Sequence, residues 1–240
     1  IDRSCQLGKY PNVDFNRKLF QKIELAVINI STGRPKSLRH LSFMLRELSE
    51  MGCDYLTVSA ALLHNIPKKE AERLILADLK TTKTLRETSD QILEIVQVFN
   101  EVNGVHYSPP HKKLQHHIQN FMDALIKISR GNGRALLLFF VHKLSAMTTA
   151  TEDAEDIAFR AVAEYIAPSA ERLGLILLAS KLRNESFRLH DPEHYYEMEK
   201  GIVSSLGMSR KQAEGLLDGI KQRVEKTLAG SDFGLVFCDS

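Results

Sequence analysis

Leu41, Met44, Leu45, Leu48 and Met51 stand at intervals of three and four residues, the spacing that gathers apolar side chains on one face of an α-helix. Gly52 follows and ends the element. Asp54 then occupies an N-cap position, Leu56, Ala60 and Leu63 repeat at helical spacing, and Pro67 stops the helix, which places His64 in its last turn. Further helices are expected over about 68–80, 84–103 and 112–130. Gly131-Asn132-Gly133 breaks the chain before the apolar stretch Ala135 to Met147, in which Leu137, Phe140, Val141 and Leu144 favour a buried helix over a strand. Glu152, Asp153, Glu155 and Asp156 crowd the start of another helix, where the macrodipole favours anions, and Pro168 interrupts it. Two more are expected over about 192–206 and 209–229, the second carrying Ala213, Leu216, Leu217, Ile220, Val224 and Leu228. Only Phe233 to Cys238 reads as a strand. An isolated strand has no partner, so it is expected to be the edge of a following domain. The whole is an all-α bundle of roughly ten helices.

The chain has 240 residues, 43% hydrophobic and 26% charged, a composition that excludes disordered, collagenous and disulfide-stapled classes. A formal charge of +2 is too small an excess for wholesale binding to nucleic acid or a membrane surface, so neither is expected as a partner of this segment. Cys5, Cys53 and Cys238 are odd in number and lack C-x-x-C spacing, which argues against a disulfide framework or a thiolate zinc site and fits a reducing, cytoplasmic setting. The longest apolar run, Ala135 to Val141, falls far short of the ~20 residues of a membrane span. The chain opens at Ile1 without an initiator Met, as a piece of a longer polypeptide would.

Three histidines are candidates for chemistry: His40 beside the first apolar stripe, His64 at the end of the next helix, and His142 inside the apolar segment. Each alone is an ordinary structural histidine, and His64 at a helix C-terminus gains from the dipole without any metal. Jointly they take on more meaning. His40 to Asn65 resembles the opening of the metal-dependent HD phosphohydrolase domain of the Rel/SpoT stringent-response enzymes, which remove the 3′-pyrophosphate from ppGpp and pppGpp. Along that pattern His40 takes the first metal-histidine position, Asp54 and Thr57 fall on the D-x-x-T step, and Ala60 to His64 leads into the His-Asp pair. Arg134 to Met147 is similar to the family's RVxxxKLADRLHNM segment, and Tyr165 to Gly174 to its IYAPLAxRLG; Lys181, Glu185 and Phe187 continue the likeness. The resemblance covers about residues 33–200 in separated blocks.

What the resemblance implies about activity turns on its departures. The His-Asp pair is here His64-Asn65, the proposed catalytic Glu-Asp falls on Lys68 and Lys69, the aspartate ligand falls on His142, and the asparagine beyond it on Ala146. Losing two carboxylates removes the oxygen ligands that a Mn²⁺-type ion prefers, and an ammonium is no base at neutral pH. The guanine-side RKSGEPY run corresponds to Ser31 through Ser37, while Thr149 keeps a threonine used at the nucleotide. The expectation is a degenerate, inactive hydrolase-type domain over 1–195, with 196–240 as helical linker and start of a synthetase domain, acting as a structural or regulatory module of a (p)ppGpp synthetase (GTP pyrophosphokinase). Its partners would be that synthetase domain and a guanine nucleotide (ppGpp or GTP) near Thr149, Lys68 and Lys69, and no cofactor is expected. An alternative keeps the enzyme alive: His40, His64 and His142 are a neutral three-histidine set able to hold Zn²⁺ or Mn²⁺ with one position open for water. A second alternative is a helical interaction module whose basic run Arg34, Lys36 and Arg39 meets an anionic partner.

Overall fold

The computed structural model describes residues 35–67, 69–71, 73, 83–105, 114–149, 162–207, 212, 215–216 and 219. Eight α-helices and one π-helical turn make up the described regular structure, with no strand among the described residues: α1 (Pro35–Glu50), α2 (Tyr55–Leu63), α3 (Lys83–Asn103), α4 (Leu114–Ser129), α5 (Gly133–Thr148), the π-turn Val162–Ile166, α6 (Ala167–Arg172), α7 (Ile176–His190) and α8 (Pro192–Leu206). The expected strand at Phe233 to Cys238, the acidic helix start at Glu152 and most of the 68–80 and 209–229 helices lie outside the described residues. Among the described residues no helix is long and apolar enough to cross a membrane.

Local signals set the ends of these elements. Asp54 caps α2 by accepting from the Thr57 amide at 3.0 Å and the Thr57 hydroxyl at 2.7 Å, which satisfies one of the amides left free in the first turn. Asn132 does the same for α5, accepting from the Ala135 amide at 3.1 Å. Behind α1 the Cys53 amide reaches back to the Leu48 carbonyl at 3.0 Å with Gly52 at φ +67°, the left-handed closure that glycine adopts without a Cβ penalty. This turn explains one departure from the apolar stripe: Leu41, Met44 and Leu48 are buried, but Met51 lies past the end of α1 and is 37% exposed. Pro168 does not simply break its helix. The π-turn runs directly into α6, whose second residue is the proline; a proline has no N–H to return to the preceding turn, and the wider π geometry falls just ahead of it.

α5 is the central element and packs against α1, α2, α3, α4 and α7. Its residues Leu138, Phe140, Val141 and Leu144 are almost completely buried. α2 is buried on every side from Leu56 to Leu63, so its Leu56, Ala60, Leu63 repeat is part of a helix enclosed all round rather than a stripe facing one neighbour. α3 supplies Ile92, Ile95, Val96, Phe99 and Val102, a heptad-like face closed against α2 and α5. The two N-termini of α2 and α5 are tied together by Arg134, whose Nε and Nη2 donate to the Asp54 carboxylate at 2.8 and 2.5 Å.

Candidate metal centre

His40 on α1, His64 at the C-cap of α2 and His142 on α5 come from three mutually packed helices. Their rings meet in the interior. Ring centroids are 4.8 Å apart for His40 and His142, 5.2 Å for His64 and His142, and 5.4 Å for His40 and His64. One ring nitrogen from each lies within 4.8 Å of the other two. Phe99 of α3 walls the cluster edge-on, 5.5 Å from His64 and 5.3 Å from His142. Sequence periodicity places Phe99 on a core-facing stripe, but nothing in the stripe singles it out from Ile95 or Val102 as the residue that meets the imidazoles.

The hydrogen bonds at His64 settle its proton. Its Nδ1 lies 2.6 Å from the Ala61 carbonyl oxygen, which can only accept, so Nδ1 carries the hydrogen and Nε2 presents a lone pair. That Nε2 is buried without a hydrogen-bond partner in the protein, as are Nε2 of His40 and Nδ1 of His142. Burial drives the ring of His64 down to a pKa of about 4, against a hydrogen bond to Ala61 that raises it and with help from neighbouring His40. His142 falls to about 2, through burial first and then through His64, His40 and Lys143. His40 is lowered as well, by burial, with a hydrogen bond to the backbone of Ser145 acting the other way. Neutral imidazoles with free lone pairs are the form that binds a metal.

No carboxylate or thiol joins the group among the described residues. Asp54 is engaged at the cap and with Arg134; burial pushes its carboxyl up, but the hydrogen bonds from Arg134 and Thr57 together hold it below the usual range. Cys53 keeps its thiol, pushed up to about 11 by burial and by Asp54, so it is no thiolate ligand at neutral pH.

The remaining residues singled out from sequence are elsewhere. Asn65 is exposed although its neighbour His64 is buried, and Lys69 is exposed. Lys68 lies outside the described residues. Thr149 caps the C-terminus of α5, its hydroxyl donating to the Ser145 carbonyl at 2.7 Å, seven residues and so about 10 Å along the helix from His142. Of the basic run, Arg39 is exposed and the side chains of Arg34 and Lys36 lie outside the described residues. Sequence reading missed a half-buried ion pair on the cluster's first helix: Lys181 Nζ of α7 donates to Glu47 Oε2 of α1 at 2.8 Å, with the Glu47 side chain 5% exposed. Its one trace in sequence is that Glu47 sits beside Leu48 on the apolar side of α1.

No protein-family model matches this chain, and no curated protein matches it.

Proposed function

We propose that this chain is a degenerate HD-type domain of the Rel/SpoT kind, retained as a structural or regulatory module of a (p)ppGpp synthetase and without hydrolysis of its own. The observation that carries this reading is the chemistry of the central cluster: three imidazoles at the positions expected to face the ion, and no carboxylate beside them among the described residues. Hydrolysis of a pyrophosphate ester needs an activated water and a group to move its proton. Asn65 cannot take a proton, and Lys69, on the exposed stretch beyond Pro67, is a cation at neutral pH. The apolar surroundings that hold the imidazoles neutral serve packing of α1, α2 and α5 as well as they would serve chemistry. The guanine nucleotide and the synthetase domain of the same polypeptide are the proposed partners, and the cytoplasm the proposed compartment.

The test is turnover. Incubating the purified chain with ppGpp and either Mn²⁺ or Zn²⁺ should release no pyrophosphate above the metal-only control. Metal-dependent release that disappears in His64→Ala overturns the reading in favour of a three-histidine phosphohydrolase, the reading favoured by the unpartnered ring nitrogens of His40, His64 and His142.

A further inference from the structure

α3 turns Ile92, Ile95, Phe99 and Val102 into the core. Its opposite face carries Asp90, Leu93, Glu94, Gln97 and Glu101, which recur at intervals of three and four residues and so form one stripe about 16 Å long. That stripe is one side of a groove of about 740 Å³, to which Ala71 and Arg130 also contribute. Most of the groove wall is apolar, with Ala71 and Val96 buried in it and Leu93 half-buried. Its charged rim is acidic. The one cation of the lining among the described residues is Arg130, and its Nη2 already donates to Glu101 Oε2 at 3.0 Å. Among the described residues no hydrogen bond or ion pair engages Asp90 or Glu94. Four residues apart on one helix, these two carboxylates repel each other and weaken α3, a cost that a cation lying across them relieves.

We propose that this groove docks a basic amphipathic helix of a partner protein, with the apolar stripe of that helix on Leu93 and Val96 and its Lys or Arg side chains on Asp90 and Glu94. Both halves of the description come from the lining. An uncharged apolar wall would take any hydrophobic segment, and exposed carboxylates alone would take any cation. Side by side at one-turn spacing, they select a segment that repeats apolar and basic residues with the helical period. Asp90 and Glu94 stand about 6 Å apart along the axis, the separation of two cations four residues apart on the docked helix. Exposed ion pairs contribute little each, so the acidic rim sets orientation and partner choice while apolar contact supplies most of the affinity. The groove lies on the side of α3 away from Phe99 and the imidazoles, so this interaction stands or falls independently of the hydrolase-type reading.

The experiment is fluorescence anisotropy with the full 240-residue chain and a labelled synthetic peptide of about 14 residues, four helical turns, with leucines on one face and lysines beside them at one-turn spacing. A peptide of the same composition in scrambled order and one with glutamate for lysine serve as comparisons. The patterned peptide should bind one-to-one with a micromolar Kd, the scrambled one at least about tenfold more weakly, and the glutamate one not at all. Asp90→Asn with Glu94→Gln should weaken binding about tenfold. Glu193→Gln with Glu197→Gln, the same loss of charge at exposed α8 positions, should leave it unchanged. A photo-crosslinking group at the centre of the peptide should label α3 between Asp90 and Glu101 of the unaltered chain, which locates the site without any substitution. Equal affinity for the scrambled peptide, binding unmoved by Asp90→Asn with Glu94→Gln, or labelling elsewhere overturns the proposal. So does spermine binding as tightly as the peptide, which assigns the rim to a free oligoamine, or a dimer of the unaltered chain that crosslinks through a group placed at Gln97, which assigns the groove to a second copy.

Discussion

A neutral imidazole buried in the folded chain and free in the unfolded one makes stability depend on acid. The folded values of His64 and His142, about 4 and about 2, lie below the ordinary 6.5. Above pH 7 neither state binds the proton and the histidines contribute no pH dependence. As pH falls through 6.5 the unfolded chain takes up protons that the folded one refuses, so stability is lost on acidification, over 6.5 to 4 for His64 and further down for His142. With chelator present, urea unfolding should lose about 2 kcal/mol per histidine between pH 7 and pH 5, and His142→Leu should flatten that slope. The Glu47 carboxylate makes a separate case, since Lys181 keeps 41% of its side chain in water while Glu47 is buried. Lys181→Met is expected to lower stability by about 1–3 kcal/mol by leaving that carboxylate only the longer, exposed Arg46 contact at 3.6 Å, and Glu47→Gln, which leaves only the half-exposed ammonium, by less. At this scale the sequence was informative about the three histidines, because a family pattern named all three. It was silent on Phe99 and on the Glu47–Lys181 pair, because helical periodicity assigns a face and not a partner 134 residues away.

At the scale of elements, caps and breaks were legible and enclosure was not. The expected 84–103 helix is α3, Lys83–Asn103, and the expected 192–206 helix is α8, Pro192–Leu206. Asp54 and Gly131-Asn132-Gly133 mark the starts of α2 and α5 because short polar side chains and left-handed residues act locally; Arg130 at φ +52° and Gly131 at φ +77° make the turn that lets Asn132 cap. Met51 and Pro168 were read less well, since the first depends on where the chain turns and the second on a π-turn that no pattern of side chains announces. The double duty of Asp54 gives a clean test. Asp54→Ala should cost about 1–2 kcal/mol through loss of the α2 cap and of Arg134's partner, whereas Asp54→Asn, which keeps a capping oxygen, should cost under about 1 kcal/mol, because the Arg134 pair is half-exposed. Phe140→Ala in the middle of α5 is expected to destabilise by about 3–5 kcal/mol, since its ring is fully buried in the core and its removal leaves a cavity. Thermal unfolding of the three variants checks the order.

For the whole molecule, the arrangement of α1, α2 and α5 around one imidazole cluster is what connects the fold to the proposed role. On the proposed reading the hydrophobic centre is kept while the carboxylates that hydrolysis needs are lost, since α2 and α5 pack through apolar residues such as Leu63, Leu138, Phe140 and Leu144. On the same reading, the positions where the resemblance expects carboxylates, Asn65, Lys68, Lys69 and His142, separate this chain from an active hydrolase. The most direct measurement is therefore pyrophosphate release from ppGpp in Mn²⁺ by the unaltered chain and by a variant carrying Asn65→Asp, Lys68→Glu, Lys69→Asp and His142→Asp. The account predicts a silent parent and a revertant at least about 100-fold above it, the scale of a regained acid/base group. A folded, metal-loaded revertant no faster than its parent would contradict the account.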